Sequence, residues 1–204
     1  MDAYIRAPKK IPLIFKLGIW IAEKKVGKKL LAARILTWYP KAALGAGVLE
    51  SLVAHEEGKV TPRLLKLIRM QVSFSASCPF CIDMNSSEYS KLHITEAEIE
   101  ALQGSKAIDD VKSFSEEERI ALKYARALTS TPIRLDHTVL EAALRKFNER
   151  EFVVIASTIA QVNFWTRLIQ GIGVPPAGFA DSCSILKLEN YATLKIESGE
   201  KANV

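Results

Sequence analysis

The chain is sparing with the residues that most readily betray a function. Its 204 residues include three cysteines, three histidines and three methionines. Three cysteines make a poor disulfide framework and fit a reducing compartment. Ten glycines and eight prolines leave little room for long low-complexity linkers. The apolar run from Ile11 to Ala22 is only about twelve residues long and is broken by Lys16, whereas a membrane span needs about twenty. That opening imitates a secretory leader, with Arg6, Lys9 and Lys10 ahead of the apolar run. Glu23, Lys24 and Lys25 follow at once without a small-residue cleavage site, so the expectation is a cytoplasmic protein that keeps its N-terminus.

What is present is an ordinary globular composition, 49% hydrophobic and 25% charged. The length suits one domain, or at most two small ones, with a sizeable core. The net charge of +5 is unevenly spread. Residues 1–41 hold ten Lys and Arg against Asp2 and Glu23, a local charge of +8, and the remainder carries 18 bases and 21 acids, or −3. A basic arm of this kind reads first as a solvated face or a surface packed on acidic parts of its own chain or of a partner subunit. A membrane surface is the less favoured reading. No nucleic-acid motif accompanies the charge, and no nucleic-acid partner is expected.

Nearly every segment has helical spacing. Residues 11–24, 28–38 and 42–55 are candidate helices. Thr61-Pro62 is a helix start, an N-cap followed by proline at the first helical position. Ser75 to Ser77 break the next helix from one that opens at Cys78-Pro79 and is expected to run to about Leu92. Thr95 with Glu98, Ser115 with Glu118, and Asn148 with Glu151 have helix-starting spacing, and Asp136 is a further cap. The last and longest helix is expected over residues 149–171, closed by Gly171, Gly173 and the Pro175-Pro176 pair. The fold class is all-α, in three parts: a basic helical extension over 1–40, a helical domain over 41–176 and a tail over 177–204.

Cys78-Pro79-Phe80-Cys81 is the most informative stretch. Such a pair has three readings. As half of a zinc site it would need further ligands, and only Cys183, His55, His93 and His137 are on offer, scattered along the chain. As structure it would be two small buried residues. As a redox dithiol, which the context favours, its spacing sets both sulfurs on one helical face within disulfide reach. At the start of a helix, Cys78 would also feel the unsatisfied amides and the positive end of the dipole, which favour thiolate. No strand surrounds the pair, so the usual βαβ redox setting is excluded.

With its neighbours, the pair resembles the carboxymuconolactone decarboxylase family, and within it the alkylhydroperoxidase D-like branch. The resemblance rests on Arg63-Leu64-Leu65-Lys66-Leu67-Ile68-Arg69 with Cys78-Pro79-Phe80-Cys81-Ile82-Asp83-Met84-Asn85. It rests also on the segment from Ser115 to Thr129, and on the run from Ile159 to Leu168 ahead of Gly171-Ile172-Gly173-Val174-Pro175. It covers about residues 40–176. It implies a helical bundle that assembles as a trimer or hexamer. It also implies reduction of hydroperoxides or disulfides in antioxidant defence, with electrons from an external dithiol or small thiol and no cofactor or metal. In that branch Cys81 attacks and Cys78 resolves, the reverse of the helix-dipole expectation. Two positions depart from the pattern: Lys66 stands where the family has glutamate, and Asn85 where it has histidine. Lys66 could lower a thiolate pKa by its charge, and Asn85 could hydrogen-bond a sulfur or substrate.

Other side chains are candidates for supporting roles. Cys81, Asn85 and Glu88 are spaced to share one stripe, which makes Glu88 a candidate substitute proton acceptor, with a solvated surface charge as the alternative. Asp83 lies off that stripe and is expected to face a neighbouring helix or subunit, with Arg167 as a candidate partner, most simply in a fixed structural pair. Asn163 and Arg167, four apart on an apolar helix, would need polar partners, near the cysteines or at substrate. His93 is expected to cap the end of the cysteine helix, His55 and His137 to be exposed, and Trp20, Trp38 and Trp165 to lie in the core or an interface. The rival readings are a cysteine-independent lyase like the family's decarboxylases, and a helical oligomer that binds without catalysis.

Overall fold

A computed structural model describes residues 3–52 and 55–180. Among these the chain forms nine α-helices and no strand: α1 (Leu13–Val26), α2 (Leu31–Leu36), α3 (Pro40–Leu52), α4 (Pro62–Ser75), α5 (Pro79–Asn85), α6 (Glu96–Gln103), α7 (Glu116–Thr129), α8 (His137–Lys146) and α9 (Glu149–Ile172). The all-α expectation holds. The starts sit where the caps put them. Thr61 Oγ1 accepts from the Leu64 amide, with Pro62 opening α4. Full capping boxes begin α6 at Thr95, α7 at Ser115 and α9 at Asn148. Each satisfies two backbone amides that the helix itself cannot pair.

α4 is the axis of the bundle and packs on α5, α6, α7 and α9. On one side Leu67, Met70 and Phe74 join Ile99 and Leu102 of α6, with Phe114 and Leu122. On the other, Leu64, Ile68 and Val72 meet Ala121 and Tyr124 of α7 and Ile155, Ile159 and Val162 of α9. By length and composition α9 could cross a membrane. Its apolar content is explained by this packing, with Ile155, Ile159, Val162 and Ile169 all in the core.

Arg63 ties three elements together at the start of α4. Its guanidinium donates to Glu98 (2.6 Å) and Glu118 (2.8 Å), the two carboxylates that also close the capping boxes of α6 and α7. It donates as well to the carbonyls of Leu92 and His93. Glu98 is fully buried, so losing the guanidinium would strand a charge. Arg63→Ala is expected to lower unfolding stability by about 2–3 kcal/mol, less than a fully buried pair because Arg63 itself is partly exposed. Urea denaturation checks this.

Candidate functional site

The turn between α4 and α5 is three residues long, Ala76 to Cys78. Ser77 takes a positive φ of 48° and the Cys78 amide donates back to the Ser73 carbonyl (3.2 Å). Cys78 is the N-cap of α5, its sulfur accepting from the Cys81 amide at 3.3 Å. The two Cα atoms are 5.3 Å apart and the sulfurs are in bonding contact, within the range a disulfide requires. Both residues are buried, Cys78 fully and Cys81 to 3% exposure. Among the described residues no group of His, Cys, Asp and Glu is placed to hold a metal ion. Cys183 lies outside the described residues.

The cover over the sulfurs comes from both ends of the chain. Ala32 and Ile35 of α2, with Ile169 of α9 and Val174, form one apolar cluster with Cys78, Cys81 and Phe80. Ala3, Ala7, Met84, Trp165 and Phe179 pack around it. Phe179 meets Phe80 edge-on at 6.1 Å between ring centres. Asp83 holds the C-terminal part of this cover. It is fully buried and accepts the backbone amides of Ala177, Gly178 and Ala180, each at 2.8 Å. The expected pairing of Asp83 with Arg167 is therefore corrected. Asp83 points at the backbone of 177–180, while Arg167 is exposed and donates to Thr131 Oγ1 at 2.8 Å.

The cysteine helix is shorter than its sequence suggested. α5 ends at Asn85, where Ser87 Oγ donates to the Met84 carbonyl, a side-chain competition that favours helix ends. Glu88 then turns left-handed at φ 53° and starts a 3-10 turn over Tyr89–Leu92. The Cys81–Asn85–Glu88 stripe does not form. Glu88 is exposed and pairs with Lys91 at 2.6 Å, which holds its carboxyl below the usual range. His93 caps the 3-10 turn rather than α5. Asn163 donates to Thr129 Oγ1 and the Ile159 carbonyl, so Asn163 and Arg167 serve the α7–α9 seam. His55 and His137 are exposed, as expected. Trp20 and Trp38 are not core residues, being 54% and 63% exposed.

Asn85 does enter a polar chain beside the cysteines. Its Nδ2 donates to Ser73 Oγ (2.9 Å) and its Oδ1 accepts from Arg69 Nε (3.2 Å). Arg69 in turn donates to Glu50 of α3 (3.1 Å). The other Glu50 oxygen accepts from Gln161 Nε2 (3.0 Å) and Trp165 Nε1 (2.9 Å). Asn85 thus links Ser73, whose carbonyl holds the Cys78 amide, to a carboxylate from a different helix. The sequence reading missed Glu50, Arg69, Ser73 and Gln161. Lys66, Arg69 and Ser73 share a helical stripe and were findable by spacing. Glu50 carried no local signal.

Lys66 opens that stripe half-buried, without a hydrogen bond to a described residue. Burial, and then the neighbouring Arg69 charge, bring its ammonium from 10.5 down to about 8, against an opposing pull from Glu88. It is a poorly solvated cation, not a stand-in carboxylate.

No protein-family model matches the chain. It is 26% identical over 140 residues to the uncharacterized protein YdfG of Bacillus subtilis, covering 68% of this chain and 93% of that protein. Among solved structures it is similar to the debrominase Bmp8 in complex with 2,3,4-tribromopyrrole. That match has a TM-score of 0.74 at 19% identity and covers 89% of this chain and 96% of the other. It is also similar to an uncharacterized peroxidase-related protein from Ralstonia eutropha, described as an alkylhydroperoxidase core. There the TM-score is 0.71 at 15% identity, over 86% of this chain and 93% of the other.

Because Lys66 is deprotonated more easily in the folded chain than in the unfolded one, unfolding takes up a proton between pH 8 and 10.5. Stability attributable to Lys66 therefore rises with pH across that window. Lys66→Met is expected to raise the urea midpoint at pH 7 and to flatten its rise between pH 8 and 10.

Proposed function

Starting from an alkylhydroperoxidase D-like helical fold, we propose that this chain is a thiol–disulfide oxidoreductase that reduces hydroperoxides or disulfides with Cys78 and Cys81. One observation carries the reading: the two sulfurs meet at the first turn of α5, where Cys78 caps the helix.

In the reductive half, the Cys81 thiolate attacks the outer oxygen of a hydroperoxide. The O–O bond breaks, the departing alkoxide takes a proton from water to leave as the alcohol, and Cys81 becomes a sulfenic acid. The Cys78 thiolate then attacks the Cys81 sulfur, expelling hydroxide, which is protonated to water, and closing the disulfide. An external dithiol returns the pair to thiols by exchange. Asn85 cannot take a proton as a histidine would, and Lys66 cannot stand in for a glutamate. Asn85 is instead a positioning residue, fixing Ser73 against Arg69 and Glu50. Water accepts the proton released as the thiolate forms. This chemistry uses no cofactor.

Substrate must reach sulfurs that the static packing covers, so α2 acts as a door. Ile35→Ala thins that cover. It is expected to speed alkylation of the reduced cysteines several-fold, with the helical circular dichroism spectrum unchanged.

The defining test is a sub-stoichiometric pulse of cumene hydroperoxide on the reduced protein, followed by alkylation and mass spectrometry. A Cys78–Cys81 disulfide should form, and Cys81→Ser and Cys78→Ser should each abolish turnover with a dithiol reductant. A small disulfide and a brominated pyrrole serve as further acceptors, since one fold neighbour is a debrominase. Unreactive cysteines, or turnover unchanged in both variants, would overturn the proposal.

A further inference from the structure

α1 is only loosely seated on its own chain, with Phe15, Ile19, Ala22 and Val26 half-buried along one face. It buries none of its residues fully. Leu13, Ile14, Leu17, Trp20 and Ile21 are 54–82% exposed. Their spacing gathers them on one side, along roughly a third of the circumference. Five large apolar side chains side by side on a surface mark a contact site rather than chance exposure.

The rim of that patch has one sign. Lys9 and Lys10 precede the helix, Lys16 flanks it, and Lys24 and Lys25 close it, all exposed. None of the five forms an ion pair with a described residue. Lys24 lies over the Trp20 ring, 5.0 Å from its centre. Glu23, the acid of this segment, is turned away and consumed. It accepts from Arg34 at 2.6 and 2.8 Å and from the Leu30 amide at 3.0 Å. These bonds fix the exit of α1 against α2, and Lys28 donates to the Ala177 carbonyl at 3.1 Å. The patch is therefore held outward from the body rather than folded onto it.

We propose that α1 lies on an anionic lipid surface, with Leu13, Ile14, Leu17, Trp20 and Ile21 in the headgroup–acyl boundary and the lysines at the phosphates. An apolar face with a cationic border and a tryptophan is the chemistry of an interfacial helix. Fourteen residues give about 21 Å of helix, too short to cross about 30 Å of hydrocarbon. The helix lies on the surface rather than across it. Charge favours lipid over a second copy: two α1 faces brought together would set lysine against lysine.

The test is flotation of the full chain with vesicles of phosphatidylcholine containing about one third phosphatidylserine, against phosphatidylcholine alone. Binding should be at least about tenfold tighter to the anionic vesicles and weaken as salt is raised. The double variant Leu17→Glu with Trp20→Glu should abolish it while leaving the melting curve and the Cys78–Cys81 chemistry intact, because neither side chain is buried. Equal binding to both vesicles, no binding to either, or full binding by the double variant would overturn the proposal. So would a double variant that breaks an oligomer in sedimentation velocity without affecting lipid, which would assign the patch to a second copy. The chemistry of the cysteine pair is read separately and stands or falls independently.

Discussion

The C-terminal part of the cover over the cysteine pair hangs on one buried carboxylate. Asp83 sits on α5, two residues past Cys81, with no exposure to water. A buried carboxylate is tolerable only when its lone pairs are matched. Three backbone amides from 177–180 do so. That clasp brings the chain after α9 back over α5, delivers Phe179 to Phe80, and presents the carbonyls of Ala177 and Gly178 to Lys28. The Lys28 contacts fasten the loop between α1 and α2. One side chain thus joins the cysteine helix to both the N-terminal and C-terminal parts of its cover.

The polar side of the site is a substitution of parts. Where the family pattern has a glutamate and a histidine that trade protons, this chain has a desolvated lysine and an amide. A carboxylate does stand nearby in space, Glu50 of α3, which reaches Asn85 through Arg69. An amide held at both ends by Ser73 and Arg69 is oriented but does not titrate, so it acts through position.

Much of this was legible from local rules. Thr61-Pro62, Thr95 with Glu98, Ser115 with Glu118 and Asn148 with Glu151 set helix starts by short-range hydrogen bonds, and those starts hold. The end of α5 did not follow, because the left-handed turn at Glu88 breaks an apolar spacing that would continue the helix. The Asp83 clasp spans more than ninety residues in sequence and bonds to backbone amides, which carry no residue signature. Glu50 likewise reads as an ordinary surface acid until α3 is laid against α9. The fold was written in caps and periodicity. The site was written in contacts between segments far apart in sequence.

Burial of both sulfurs bears on the chemical lifetime of the protein. A sulfenic acid exposed to bulk oxidant climbs to sulfinic and sulfonic acids, the first seldom and the second never repaired. Here Cys81 has its partner in contact and a roof of Ala32, Ile35 and Val174 overhead. A second oxidant molecule must wait for another opening, while Cys78 needs none. Under the proposed thiol chemistry, the enclosure would trade speed of first encounter for resistance to over-oxidation.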